Sequence, residues 1–209
     1  MKGLFYLTVF ITFFSCKENS TSADKTTVVV KSPDNSSETL PDLKSIDDIK
    51  MEHSYITSKI ESGSMDSTSF DYNCKDEKNG TLIYFYEKGQ LRLIKHAYNE
   101  YSHFSATDEY FLKDGALFFV FYNHLVWSFV NHNQTKDDIT EKRFYIIGNR
   151  PIKCLQKKFT ILSNAKDAPK SNMGSDKAIE CSSLEPILED FELLFKLRKQ
   201  KEDLLCLED

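Results

Sequence analysis

The sequence predicts an α+β fold, an antiparallel meander of about six to eight strands packed on one face by an N-terminal and a C-terminal helix. Three observations carry this reading. Strand-like runs rich in Phe, Tyr, Ile and Val flank the pairs Lys88-Gly89, Asp114-Gly115 and Gly148-Asn149, each suited to the positive φ of a tight hairpin turn. Apolar residues recur at helical spacing before and after those runs. Finally, the run 116–122 is apolar at both parities of the strand period, as in a central strand buried on both faces.

Length and charge set the bounds. A chain of 209 residues suits one domain with appendages. Its net charge of −5 comes from interspersed charges of both signs, so it lacks the clustered basic face of a nucleic-acid binder, and no nucleic-acid partner is expected. The hydrophobic share of 40% is modest, yet 16 Phe and 10 Tyr concentrate in one part of the chain. Part of the chain is therefore densely packed and part is not.

The N-terminus is the part that does not pack. Met1-Lys2 supplies positive charge, residues 3–14 are almost wholly apolar, and Ser15 precedes Cys16. An apolar segment of 12 residues reaches only about 18 Å as a helix, short of a hydrocarbon core near 30 Å, so residues 1–15 read as a removable signal peptide. Phe13-Phe14-Ser15-Cys16 resembles the lipobox of bacterial lipoprotein precursors, with Phe13 where Leu is usual. That resemblance implies lipid attachment, such as palmitate, at Cys16 and anchorage to a membrane of the bacterial cell envelope. Residues 16–40 are rich in Ser, Thr, Asn and Asp and offer too little apolar surface to offset ordering, so they read as a flexible tether. The alternative is that residues 26–30 add an edge strand.

Residues 41–209 are expected to form the single α+β domain. Leu43, Ile46, Ile49, Ile56 and Ile60 mark a helix over 42–61, closed by Gly63. The sheet is expected over 69–162: a short strand at 69–74, then hairpins 81–86/91–98, 107–112/116–122 and 143–147/152–159. Residues 125–130 are either a further strand or the end of a long bent one, and 131–140 read as a polar loop. Lys153, Lys157 and Lys158 suit an edge strand, where lysine discourages edge-to-edge pairing. A polar loop at 163–182 precedes a second helix over 183–204, with stripe residues Leu184, Ile187, Leu188, Phe191, Leu194 and Phe195 and Pro186 in the first turn.

Uninterrupted pairing across two-residue turns assigns side chains to faces. Leu82, Tyr84, Leu91, Leu93, Tyr110, Leu112, Phe119, Phe121, Phe144, Ile146 and Leu155 share the helix-covered side. The other side carries the candidate binding residues Arg92, His96, Tyr98, Glu109, Tyr122, Arg143 and Tyr145, a mixture with the Arg and Tyr enrichment of interfaces. Trp127 reads as core, with a binding anchor as the alternative.

Little else in the sequence points to chemistry. The glycines form no phosphate-cradling cluster, no Gly-x-Ser-x-Gly elbow occurs, and the histidines form no helical metal-binding pair, so no cofactor or metal is expected. Cys74, Cys154, Cys181 and Cys206 are even in number, but free buried thiols are the expectation. Cys181 and Cys206 would lie about 35 Å apart along a continuous helix, too far to bridge. The function expected is a non-enzymatic envelope module binding a protein or an envelope polymer. The alternative is an envelope hydrolase pairing His96 or His103 with Glu109 or Asp108.

Deleting residues 17–39 is expected to cost the domain little stability, whereas Phe119→Ala should cost roughly 3–5 kcal/mol as a large core truncation. Denaturant melts of the two variants compare them directly, and equal losses would place the tether inside the fold.

Overall fold

The computed structural model describes residues 42–75, 77–163, 174–181, 184–199 and 206–207. All of them fall within the compact unit Thr39–Asp209. The signal-peptide, Cys16 and tether expectations lie outside the described residues.

Helix α1 spans Ile46–Glu61. Ser45 caps it: the hydroxyl accepts from the Asp48 backbone N–H at 3.2 Å and donates to the Asp48 carboxylate at 2.8 Å. Gly63, at φ 67°, ends the helix, its N–H bonding to the Ile60 carbonyl at 2.9 Å. The expected start at residue 42 is four residues too early, because the Ser45 cap sets the boundary.

Eight strands form one antiparallel sheet in the order β1-β2-β3-β4-β5-β6-β7-β8, an uncrossed meander. They are β1 (Asp66–Cys74), β2 (Lys78–Glu87), β3 (Gln90–Glu100), β4 (Phe104–Lys113), β5 (Ala116–Asn131), β6 (Gln134–Ile147), β7 (Arg150–Leu162) and β8 (Lys177–Ala178). The second helix, α2, runs over Glu185–Leu197 with Pro186 in its first turn. The α+β meander with flanking helices is thus observed. Residues 125–130 continue β5 as one long strand, and most of the expected loop at 131–140 is strand β6, its Asp, Thr and Lys residues paired across the ladder with β5. Strand β8 falls within the expected loop at 163–182, where residues 164–173 lie outside the described ones.

The β2–β3, β4–β5 and β6–β7 turns each have two residues at positive φ: Lys88 and Gly89 at 51° and 78°, Asp114 and Gly115 at 50° and 80°, Gly148 and Asn149 at 55° and 60°. Just after each turn the register slips. Tyr86 pairs with Leu91 but Phe85 with Leu93; Leu112 with Leu117 but Phe111 with Phe119; Ile146 with Pro151 but Tyr145 with Lys153. Arg92, Phe118 and Ile152 are therefore the extra residues of three β-bulges, and each bulge turns the rest of its strand over.

That inversion corrects the expected face assignment. Leu93, Phe119, Phe121 and Leu155 move to the face that carries Phe85 and Phe111, and this face is covered by α1 through Ile49 and Ile56. Ile94 and Val120 join Leu82, Tyr84, Tyr110, Leu112, Phe144 and Ile146 on the other face, against Leu184, Ile187 and Leu194 at the start and along α2. The helices thus cover opposite faces of the sheet rather than one, because the middle of the sheet is apolar on both sides and each side needs its own cover. The Tyr84 hydroxyl donates to the Leu194 carbonyl at 2.7 Å and fixes the seat of α2.

Charge fixes the seat of α1. Glu52, 2% exposed, faces the sheet and pairs with Arg92 and with Lys113, the latter at 2.8 Å. Arg92 also reaches Glu87 at 2.9 Å, and the Tyr55 hydroxyl donates to the same Glu87 carboxylate. Disulfides join Cys74 to Cys206 and Cys154 to Cys181, with Cα atoms 4.6 and 5.4 Å apart. The expectation of free thiols is corrected here: each bridge ties a strand to a segment flanking α2, a proximity that only the folded sheet creates. Each is worth about 2–4 kcal/mol by restricting the unfolded chain.

Glu52→Ala removes the buried carboxylate that Arg92 and Lys113 share and should cost roughly 3–5 kcal/mol, whereas Lys50→Ala, on the exposed side of α1, should cost under about 1 kcal/mol. Urea melts of the two variants check this difference.

Candidate functional site

The seven candidate binding residues do not share a face. Arg92 is buried in the Glu52 and Glu87 network and holds α1. Glu109, Arg143 and Tyr145 lie on the α1 side: Glu109 pairs with Lys95 at 3.1 Å, Arg143 with Glu141 at 2.6 Å and Asp176 at 2.7 Å, and Tyr145 packs buried against Phe119. His96, Tyr98 and Tyr122 lie on the α2 side, carried there by the bulges at Arg92 and Phe118.

On the α1 side the sheet face has two parts. Between α1 and the strands is a cleft of about 680 Å³ floored by Phe85, Leu93, Phe111, Phe119 and Phe121, with His53, Lys95, Glu109 and Arg143 among its polar lining. The Arg143 guanidinium lies 5.2 Å from the centre of the Phe121 ring. His53 packs against Phe111 and Phe119, ring centres 4.6 and 5.0 Å away. Burial holds its pKa below the ordinary imidazole value, Glu109 opposing the shift and Arg143 adding to it.

Beyond the cleft the same face continues into an open groove of about 700 Å³. Register builds its floor: Thr81, Ala97, Thr107, Asn123 and Glu141 form one cross-strand row, and Asn79, Asn99, Ser105, Leu125 and Ile139 form the next. The floor is mostly neutral amide and hydroxyl. Past it on β5, Trp127 and Phe129 continue the same parity. The Trp127 ring lies 4.2 Å from His103 and 5.3 Å from Phe129, and Phe129 is 67% exposed. The Trp127 indole N–H donates to the Ser102 carbonyl at 2.6 Å. Trp127 therefore belongs to a surface aromatic cluster, not to the core expected for it.

None of the floor residues was singled out from sequence. The available signal was that several strands carry Asn, Ser or Thr at alternate positions near one end: 79 and 81 in β2, 105 and 107 in β4. Only the register slips bring these onto one face.

The α2 side holds a buried polar chain instead. The Tyr72 hydroxyl and His96 Nε2 are 2.9 Å apart, and Tyr98 stacks on His96 at 4.4 Å while donating to Asp108 at 3.3 Å. The other Asp108 oxygen meets His124 Nε2 at 2.9 Å, and the Tyr110 and Tyr122 hydroxyls lie 3.3 Å apart. Gly80 makes room for this packing, since a Cβ there would fall 2.8 Å from the Tyr72 ring and 2.8 Å from Tyr98. Burial raises the phenol pKa values of Tyr98, Tyr110 and Tyr122, and it raises that of Asp190 on α2, with Asp108 adding to the last.

The pairs named for hydrolysis do not assemble. His96 sits across the strand pair from Asp108 but bonds Tyr72, Glu109 faces the opposite side, and His103 lies in the surface aromatic cluster. The space bounded by His96 and Asp108 is about 130 Å³. Among the described residues no three His, Cys, Asp or Glu side chains converge to hold a metal ion. Compared with known protein families, with curated proteins and with solved structures, the chain matches none.

Burial pushes the His96 pKa down to about 3, with Lys78 adding to the shift, while in the unfolded chain the imidazole titrates near its ordinary 6.5. Between these values the unfolded state binds a proton that the folded state refuses, so stability falls as pH drops through the window, by up to about 1.4 kcal/mol per pH unit. His96→Gln should flatten that part of the stability profile, as urea melts from about pH 6.5 down to about pH 4 would measure.

Proposed function

We propose that this chain is a membrane-tethered binding module of the bacterial cell envelope, lipidated at Cys16, which offers the open half of its α1-side sheet face to a protein or an envelope polymer. The observation that carries the reading is the groove itself, about 700 Å³ of sheet face that α1 leaves uncovered, bordered by an aromatic cluster. The two disulfides support an oxidising compartment, where such bridges persist. A tether of about 24 residues has an r.m.s. reach on the order of 25–30 Å, enough to hold the groove clear of lipid headgroups.

The hydrolase alternative draws less support. His124 and Asp108 are paired at 2.9 Å, but their environment is a tyrosine cluster under α2 with little room for a substrate. Binding through a preformed neutral surface asks for none of that machinery.

Two measurements test the reading. Cys16→Ser should shift the protein from membrane to soluble fractions, since a multi-chain lipid anchor is what holds it there; a variant still wholly membrane-bound would overturn the anchor. Asn123→Arg, at an exposed groove position, should abolish retention of the envelope component captured by the wild-type chain and leave the melting transition within about 0.5 kcal/mol. Lys196→Ala, on the exposed side of α2, should retain it, and equal retention by Asn123→Arg would place the binding surface elsewhere.

A further inference from the structure

We infer that the groove binds an extended neutral glycan strand, its sugar hydroxyl or acetamido groups bonding the Asn and Thr floor and the sugar over β5 stacking at Trp127. This deepens, and rests on, the reading of the groove as the binding face.

The lining chemistry selects the ligand class. Asn79, Asn99, Thr107 and Asn123 offer groups that both donate and accept, matching sugar hydroxyls, which do the same. The carboxylates at the groove are already engaged: Asp71 accepts from the Thr81 hydroxyl at 2.5 Å, and Glu141 is paired with Arg143 at 2.6 Å. Two carboxylates and no unengaged cation among the described lining residues disfavour a polyanion such as nucleic acid or an acidic lipid surface.

Geometry disfavours an extended peptide. The groove lies on the face of the sheet, with β1 and β7 at its sides, and its floor strands β2 to β6 spend their backbone N–H and C=O groups on neighbouring strands. A peptide strand laid there finds no ladder to join, since strand addition needs an open edge. A glycan brings its own donors and acceptors along its whole length. Adjacent strands lie about 4.8 Å apart, close to the length of one hexose unit in an extended chain, so successive sugars meet successive strands of one cross-strand row. Beside the second row, at the next same-face position after Leu125 on β5, the Trp127 ring, set beside His103 and Phe129, offers an aromatic platform for the apolar face of a pyranose ring.

Trp127 is the only tryptophan in the chain, so its emission reports the site without a label. The full chain is titrated with chitotetraose, which carries acetamido groups, and with cellotetraose, which carries hydroxyls alone, and is co-sedimented with purified peptidoglycan sacculi. Saturable quenching or shift of Trp127 emission by either oligosaccharide is expected, with affinity at least tenfold weaker in Asn99→Ala/Asn123→Ala and unchanged in Lys196→Ala. Preference for chitotetraose together with sacculus co-sedimentation identifies an acetamido glycan of the cell wall, and preference for cellotetraose a plain hydroxylated one. Binding that survives the double substitution overturns the site, and absence of binding to both oligosaccharides and to sacculi overturns the glycan inference. If Asn123→Arg still abolishes capture of an envelope protein in that second case, the binding-face reading stands without the glycan; if no component is captured at all, both fall.

Discussion

The structure depends on one extra residue in the return strand of each of three hairpins. Arg92, Phe118 and Ile152 interrupt pairing just after the turns, so the side chains beyond them change face. A two-residue hairpin without a bulge keeps its apolar residues on one side; a bulged one divides them. Both faces at the turn-proximal end of the sheet are consequently apolar, and neither is left to water. Helix α1 covers one and α2 the other, so the domain has three layers at that end and a bare sheet face at the other end of the α1 side.

Each helix is fixed to its face by polar contacts inside an apolar interface. Under α1 the carboxylate of Glu52 lies between Arg92 and Lys113, one of these being a bulge residue. Apolar packing alone would let α1 slide along a floor of interchangeable Phe and Leu side chains. A buried carboxylate with two fixed cations permits one position, because any shift leaves a charge unpaired. Under α2 the Tyr84 bond to the Leu194 carbonyl serves the same end with neutral groups. The Tyr72–His96 and Asp108–His124 pairs satisfy the polar atoms that the meander carries beneath that helix. The two disulfides add ties between the sheet and the segments flanking α2.

The groove is the part of the α1-side sheet face that lies beyond the helix. Helix α1 lies over the row of Phe111, Phe119 and Tyr145. Farther along the strands the same face changes from phenylalanine to asparagine, threonine and serine, residues that need no cover. The change of composition therefore coincides with the limit of the cleft that α1 lines. A half-covered sheet of this kind exposes a broad surface whose positions are set by the ladder, not by loops, so its polar groups are regularly spaced.

By itself the sequence determined the α+β class, the order of the two helices and most of the strands, three of the hairpin turns and most of the apolar core. These are local properties: a pair such as Asp114-Gly115 accepts positive φ wherever it stands, and the stripe of Ile49, Ile56 and Ile60 marks a helix without reference to its partner. The double-parity run 116–122 even announced that both faces of β5 would be buried. Which side chains share a face was decided only by the tertiary structure, because one bulge residue reverses everything after it and no local pattern in Leu91-Arg92-Leu93 reveals the slip. The same reversal separated Arg143 and Tyr145 from His96, Tyr98 and Tyr122, turned Arg92 into the buried partner of Glu52, and gathered Asn79, Asn99, Thr107 and Asn123 from two hairpins into one groove. Cysteine pairing belongs with these, since Cys74 and Cys206 are separated by 132 positions and meet only when the folded domain brings their backbones together.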